Sequence, residues 1–323
     1  MRNGEAERKA ERKREGNMNM YFYETAKLDR KKLKDYLSDV EREKIAKVTI
    51  RAGEPYRNRQ QQQVVSTGED GPAIYAYVDW LNADGSKDIV ISTPADVIEL
   101  PEDCSFLFYD LRNMEEFVIE NKERFSILEG RTTKNTSHMF ENCREMRELD
   151  LSSVFFSNVI DASYMCSKCN NLEKVHLGNL YEEVRDIRCV LEYCGKLKKA
   201  DLSDLLVNGV PDGETAYPIY KCSQLEEVNM GTVTFNDIKY GIFEPFDGCN
   251  HLKRIKVLDQ TFYVKDIEKL NAAFRSEGGR LEDALSGVNP NLMDRIEDAS
   301  QKTEQQKENR NSEEKTRTNE EVK

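Results

Sequence analysis

Apolar residues near the start of the chain recur at helical spacing. They stand at positions i, i+3, i+4 and i+7, as Leu33, Tyr36, Leu37 and Val40. Asp29 precedes them, and its side chain is suited to accept a hydrogen bond from a backbone N–H of a first helical turn. The pattern therefore predicts an amphipathic helix that begins after Asp29 and buries one face.

Short alternating segments and turn residues follow this helix. Residues 47–50 have the period-two pattern of a strand. Residues 51–72 contain several Gly and Pro residues and a run of four Gln, which predicts a loop. Residues 74–80 and 89–92 flank the sequence Asn-Ala-Asp-Gly at 82–85, and this arrangement predicts a β-hairpin.

A motif of the form Cys-x2-apolar-x2-apolar-x-apolar is the strongest pattern in the chain. Five copies, called the cysteine motifs below, begin at Cys143, Cys169, Cys194, Cys222 and Cys249, and a degenerate copy begins at Leu111. Successive copies are 32, 26, 25, 28 and 27 residues apart. Spacings of this size are typical of leucine-rich repeats, in which each copy contributes one strand to a parallel stack.

The last apolar pair of each motif predicts two inward side chains with an outward one between them. The predicted core residues of this kind are Leu149, Leu151, Val175, Leu177, Leu202, Val228, Met230, Ile255 and Val257.

Two segments, 135–140 and 159–165, stand ahead of the first two cysteine motifs, and Leu-Asp-Leu-Ser and Ala-Asp-Leu-Ser occur at 149–152 and 200–203. These segments resemble BspA-type leucine-rich repeat proteins. The resemblance covers residues 100–260. It implies a repeat fold of stacked strands. Members of this family are mostly bacterial surface or secreted adhesion proteins, so it also implies a role in binding.

Taken together, the patterns predict an α/β solenoid. Its parts are a charged flexible arm (1–18), a small α+β N-terminal cap (19–100), about six leucine-rich repeats with parallel strands (101–260), a helical C-terminal cap (261–287) and a disordered tail (288–323). The C-terminal cap is predicted from Ile267, Leu270 and Phe274 at helical spacing and from a second short helix at 281–285.

Charge and hydropathy limit the classes of partner that the chain is expected to bind. The chain has a formal net charge of −12 and a pI near 5.1, which argues against a general nucleic-acid binder. No run of about 18 apolar residues is present, so membrane insertion is not expected. The charged first residues lack an apolar segment behind them, which favours a cytoplasmic location, with the cell surface as the alternative.

The shared motif position of the five cysteines predicts small buried thiols in a reducing compartment, with no metal or cofactor. Disulfides between neighbouring copies are an alternative at this spacing. Cys166-x2-Cys169 and Cys189-x4-Cys194 have the spacing of zinc-binding pairs, which is a second alternative.

A thiol–imidazole nucleophile is a third alternative. It would join Cys249 to His251, or use His138 or His176 as the base, and it requires the thiol and the ring within hydrogen-bond reach in a cleft.

The outward positions of the predicted strands form two columns on the concave face. The ten candidate binding residues in these columns are Glu148, Asp150, Lys174, His176, Lys199, Asp201, Glu227, Asn229, Arg254 and Lys256. The degenerate copy extends the two columns to Glu116 and Val118. We expect a non-catalytic module that binds a protein partner on this face, with charge setting orientation and association rate. The alternatives are a surface adhesion or structural protein, and an enzyme or toxin activity in residues 19–100.

Overall fold

The structure is a computed structural model. It describes residues 24–55, 60–68, 71–120, 127–203, 205–207, 218–230, 245–257, 260–268 and 270. The predicted arm (1–18), the predicted tail (288–323) and the predicted short helix at 281–285 lie outside the described residues.

The N-terminal part combines one helix with six strands. Its elements are β1 (Thr25–Lys27), α1 (Arg30–Asp39), a 3-10 helix (Arg42–Lys44), β2 (Ile45–Ala52), β3 (Gln60–Val64), β4 (Tyr75–Leu81), β5 (Lys87–Thr93) and β6 (Val97–Glu99). The predicted N-cap is confirmed, because Asp29 Oδ1 accepts a hydrogen bond of 3.0 Å from the Lys32 backbone N–H. The predicted helix and hairpin are also confirmed. Within the described residues, no helix has the length and apolar character needed to cross a membrane.

The remainder of the described chain is built from short strands. They are β7 (Glu116–Glu120), β8 (Leu128–Glu129), β9 (Glu148–Asp150), β10 (Phe155–Phe156), β11 (Lys174–His176), β12 (Asn179–Val184), β13 (Lys199–Asp201), β14 (Leu205–Val207), β15 (Glu227–Asn229), β16 (Arg254–Val257) and β17 (Gln260–Tyr263).

Eleven strands form one mixed sheet in the order β17-β16-β15-β13-β11-β9-β7-β2-β5-β4-β3. Neighbours from β5 through β2 and β7 to β16 are parallel. The pairs at the two ends, β3–β4, β4–β5 and β16–β17, are antiparallel. Two smaller sheets, β1-β6-β8 and β10-β12-β14, each contain three parallel strands.

The predicted fold class, an α/β solenoid of leucine-rich repeats with helical caps, is wrong. The chain is mainly β, with a single complete α-helix among the described residues and a mixed sheet that is antiparallel at both ends. The N-terminal strands continue the same sheet, because β2 pairs with β7 over five residues. Spacing in the sequence predicts which residues share a strand position, but it does not determine what connects or flanks the strands.

The connections between motifs turn through left-handed residues instead of helices. The φ angle is positive at two recurring positions, occupied by Phe106, His138, Tyr164 and Cys189 and by Asp110, Asn142, Lys168, Tyr193, Lys221 and Gly248. Almost all of these are non-glycine residues, for which this conformation is uncommon. Except at Gly248, the turns therefore carry no Gly signal that the sequence could have revealed.

Two further expectations were wrong. Residues 60–64, placed in a loop, form the edge strand β3, because pairing with β4 stabilises a Gln-rich segment whose own strand preference is weak. Residues 260–263, at the start of the predicted helical cap, form β17 and pair antiparallel with β16. Beyond β17, residues 267, 268 and 270 are helical, and Ile267 and Leu270 pack half-buried against the core. Phe274, the third residue of the predicted helix, lies outside the described residues.

The predicted core is confirmed wherever the structure describes it. Leu149, Leu151, Val175, Leu177, Leu202, Val228, Met230 and Ile255 are all at most 4% exposed. The side chain of Val257 lies outside the described residues. The inward side chains of successive motifs thus form one continuous core under the sheet.

Candidate functional site

The two predicted columns lie side by side on the outer face of the eleven-stranded sheet, called the outer face below. The first column aligns Glu148, Lys174, Lys199, Glu227 and Arg254 in strand register. The second aligns Asp150, His176, Asp201, Asn229 and Lys256. All ten side chains are exposed or half-buried, and the residue between them on every strand is buried. The structure therefore brings together all ten predicted residues from β9 to β16.

Ion pairs neutralise the β15–β16 end of the outer face more completely than the rest of it. Glu227 accepts hydrogen bonds from Arg254 Nε at 2.7 Å and is 2.8 Å from Lys256 Nζ. Lys174 Nζ lies 3.9 Å from Glu148, and both side chains are more than half exposed. Lys199 makes no ion pair within 4.0 Å among the described residues, and its register neighbour on one side is Lys174.

The titration of the outer-face carboxylates follows from these contacts. The hydrogen bond from Lys256 lowers the pKa of Glu227 most, and the bond from Arg254 and the charge of Lys199 lower it further. Partial burial opposes ionisation of Asp150, but hydrogen bonds from Ser152 and the nearby His176 leave its pKa lowered. Both groups are therefore anionic at neutral pH, so the face presents fixed charges of both signs.

A groove runs over these columns. It has a volume of about 270 Å³, and nine of the ten predicted residues line it, Arg254 being the exception. A second recess of about 510 Å³ opens beside it between β7 and β9, and we call this recess the β7–β9 cleft. The two share Glu148, Asp150 and Ser152, so the outer face is recessed over a length of several strands.

Sequence reasoning missed the continuation of the first column into the N-terminal strands. Lys47 of β2 pairs in register with Glu116 of β7 and with Asp88 of β5, and Lys47 Nζ lies 2.5 Å from Glu116. The signal was present in residues 47–50, where Val48 and Ile50 point inward and leave Lys47 outward. The predicted columns began at β7 because residues 19–100 were assigned to the N-terminal cap.

The thiols of the five cysteine motifs form a ladder inside the core. Each Sγ donates a hydrogen bond of 2.8 to 3.3 Å to a carbonyl of the turn that leads into the preceding copy. All eight cysteines are buried free thiols. Burial raises the pKa of Cys143, Cys169 and Cys222, so these thiols are protonated at neutral pH and serve as donors.

The alternative chemistries for the cysteines are tested by this geometry. Cys169 and Cys194 donate to the carbonyls of Phe140 and Cys166, each at 3.2 Å. Across the described ranges, no group of three or more His, Cys, Asp or Glu residues is placed to hold a metal ion. Cys249 donates to Ile219, whereas His251 Nδ1 lies 2.6 Å from the Ser223 carbonyl, so thiol and ring have different partners.

His138 stands in a stack of rings at the turns between motifs. Its ring lies parallel to those of Phe106 and Tyr164, with centroids 4.4 and 4.9 Å away. Its Nδ1 is 2.6 Å from Glu141 Oε2, and Lys168 Nζ is 2.6 Å from the other carboxylate oxygen. Both ring faces and one nitrogen are thus engaged, which is typical of a packing role between copies.

Comparison of the chain with protein-family models, with curated proteins and with solved structures finds no match. The resemblance to BspA-type repeat proteins therefore stays a prediction that rests on the motifs.

Proposed function

We propose that the outer face binds a protein partner without catalysis. The observation that supports this proposal is the alignment of ten polar and charged side chains from five motifs, spread over residues 148–256, in two columns above one groove. A charged pattern of this kind favours one orientation of a partner and speeds its association more than it raises affinity.

The charges also define the kind of partner. Lys174 and Lys199 are register neighbours on adjacent parallel strands, and like charges at such positions repel. Glu227, the other neighbour of Lys199, is already bonded to Arg254 and Lys256. Acidic side chains of a partner, placed over the two lysines, would offset this repulsion. We therefore infer a partner that presents acidic residues to the centre of the groove.

The scaffold beneath these lysines is well packed. The middle residue of β9, β11, β13 and β15 is buried, and the thiol ladder joins each motif to the one before it. A backbone that is already ordered in a sheet loses less conformational entropy on binding than a loop does. The face is thus suited to bind a partner without rearrangement.

Reversing the central charges tests this function. The double variant Lys174→Glu/Lys199→Glu should weaken the partner complex at least about tenfold, because attraction is replaced by repulsion at both positions. The full chain and this variant serve as baits in extracts of the source cells, and the affinity of each retained protein is then measured at low and high salt. Raised salt should also weaken the wild-type complex, because these side chains are exposed.

The control variant is Lys27→Glu/Lys196→Glu, which makes the same charge change at two exposed lysines outside the groove. A protein retained by the wild type and by this control, but lost from the groove variant, supports the proposal. If every retained protein binds the groove variant as tightly as the wild type, the outer face is not the binding site.

A further inference from the structure

Strand β7 has a free edge within the described part of the chain. On one side it pairs with β2 over all five residues from Glu116 to Glu120. On the other side its ladder with β9 contains the single pair Glu116–Glu148, whereas each of the pairs from β9 to β16 contains three. No described strand pairs with this edge beyond Glu116, so backbone groups there are left for another partner.

The β7–β9 cleft opens where this pairing stops. Its volume of about 510 Å³ lies in the range of ligand-binding recesses. Half-buried Val118 and Ile119 line one wall, and Ser152 and Ser153 line the other. The four edge residues from 117 to 120 span about 13 Å at the rise of a strand. The cleft therefore matches a short extended segment better than a compact small molecule.

The charges around the cleft select the chemistry of that segment. Glu115, Glu116, Glu148 and Asp150 line it with one cation, Arg147, which lies 3.5 Å from Glu115. Glu116 and Glu148 are the single register pair of the two strands, and the lysines that pair with them, Lys47 and Lys174, are not part of the cleft lining. The lining therefore carries an excess of carboxylates, which favours a cationic segment.

We propose that the β7–β9 cleft binds an extended basic segment of a protein, which adds as a strand to the free edge of β7. Side chains alternate between the two faces along a strand, so the two faces of the bound segment require different side chains. Side chains of the segment that point to the outer face would lie against Glu116, Val118 and Glu120. Basic side chains there would pair with the carboxylates of Glu116 and Glu120. Residues on the inner side meet Phe117 and Ile119, so they are apolar. This basic segment is a different ligand from the acidic partner surface proposed to contact Lys174 and Lys199.

A labelled peptide of alternating Val and Lys, with neutral ends, tests this proposal on the full chain by fluorescence anisotropy. We expect saturable binding. The protein variant Glu116→Gln/Glu148→Gln should weaken it at least about tenfold, because both carboxylate charges are lost. Both residues are exposed, so the variant should keep its unfolding midpoint, which is measured in parallel.

Two controls separate strand addition from simple charge attraction. The same peptide with N-methylated backbone at its central residues keeps its charges but loses strand hydrogen-bond donors, and we expect at least about tenfold weaker binding. The Lys174→Glu/Lys199→Glu protein should bind the unmodified peptide no more weakly than the wild type, so this test is independent of the proposed function.

Equal binding of the methylated peptide would mean attraction to a negatively charged surface and would overturn the proposal. Equal binding to the Glu116→Gln/Glu148→Gln protein, or no binding at millimolar peptide, would overturn it as well.

Discussion

Replacing Leu177 by Asp should abolish the cooperative unfolding transition of the chain. Leu177 is 1% exposed and lies in the continuous core beneath β11. A carboxylate at this position would be buried without a partner, and costs of more than about 4 kcal/mol are expected for such a change. Leu177→Ala removes volume without adding charge and should cost about 2–5 kcal/mol. Denaturant unfolding followed by circular dichroism measures both changes.

Lys174→Asp is the matched control in the same motif. The side chain of Lys174 is 66% exposed, and its substitution should change stability by about 0.5 kcal/mol or less. If Leu177→Asp unfolds at the wild-type midpoint, or if Lys174→Asp destabilises the chain as strongly, the inward and outward assignment of this strand is wrong.

Replacing Gly178 by Ala should destabilise the chain by about 2 kcal/mol or more. Gly178 has φ +83°, where a side chain is strained. A Cβ atom there would also lie 2.6 Å from the Leu151 carbonyl oxygen and 3.1 Å from that of Val154. Both obstacles are backbone atoms, so the preceding copy would have to shift to make room.

Gly195 provides the control for this substitution. Its backbone φ is not positive, and a Cβ atom at Gly195 would meet no heavy atom within 4 Å. Gly195→Ala should therefore be neutral or stabilise the chain by up to about 1 kcal/mol, since it restricts the unfolded state. Similar unfolding midpoints for the two variants would contradict the tight approach of residues 151–154 to Gly178.

The register of the repeated strands was predictable because a cysteine and three apolar positions recur at fixed offsets in each motif. Lys174 stands one residue before the last apolar pair of its motif, as Glu148 and Lys199 do in theirs, so these three residues could be aligned from the sequence. Which side chains are buried depends largely on their type and spacing, and both can be read from the sequence. The core and both columns of the outer face follow from it.

The fold class could not be obtained in this way. A helical cap was expected directly after the last motif, but β17 continues the sheet after β16, and α1 is the only complete helix among the described residues. Likewise, β3 forms because β4 offers it a pairing edge, and no local signal in its four glutamines indicates a strand. Such elements depend on contacts that are distant in sequence, so local patterns do not reveal them.

Only part of the candidate site could be predicted, because local patterns cover only part of it. Its ten residues belong to the periodic strands, whereas the β7–β9 cleft arises where periodicity fails. The copies that begin at Leu111 and Cys143 are 32 residues apart, against 25 to 28 for the others. That longer step was visible in the sequence, but its consequence, a ladder reduced to one residue pair, required the structure.

The central claim is that the outer face contacts a protein partner, and site-specific photo-cross-linking tests it most directly. A photoreactive residue is placed at Lys199, in the groove, or at Lys196, an exposed lysine outside the groove, in the full chain in its source cells. The account predicts one protein adduct from position 199 that is lost when Lys174→Glu is added, and no such adduct from position 196. An adduct from position 196 together with none from position 199 would contradict it.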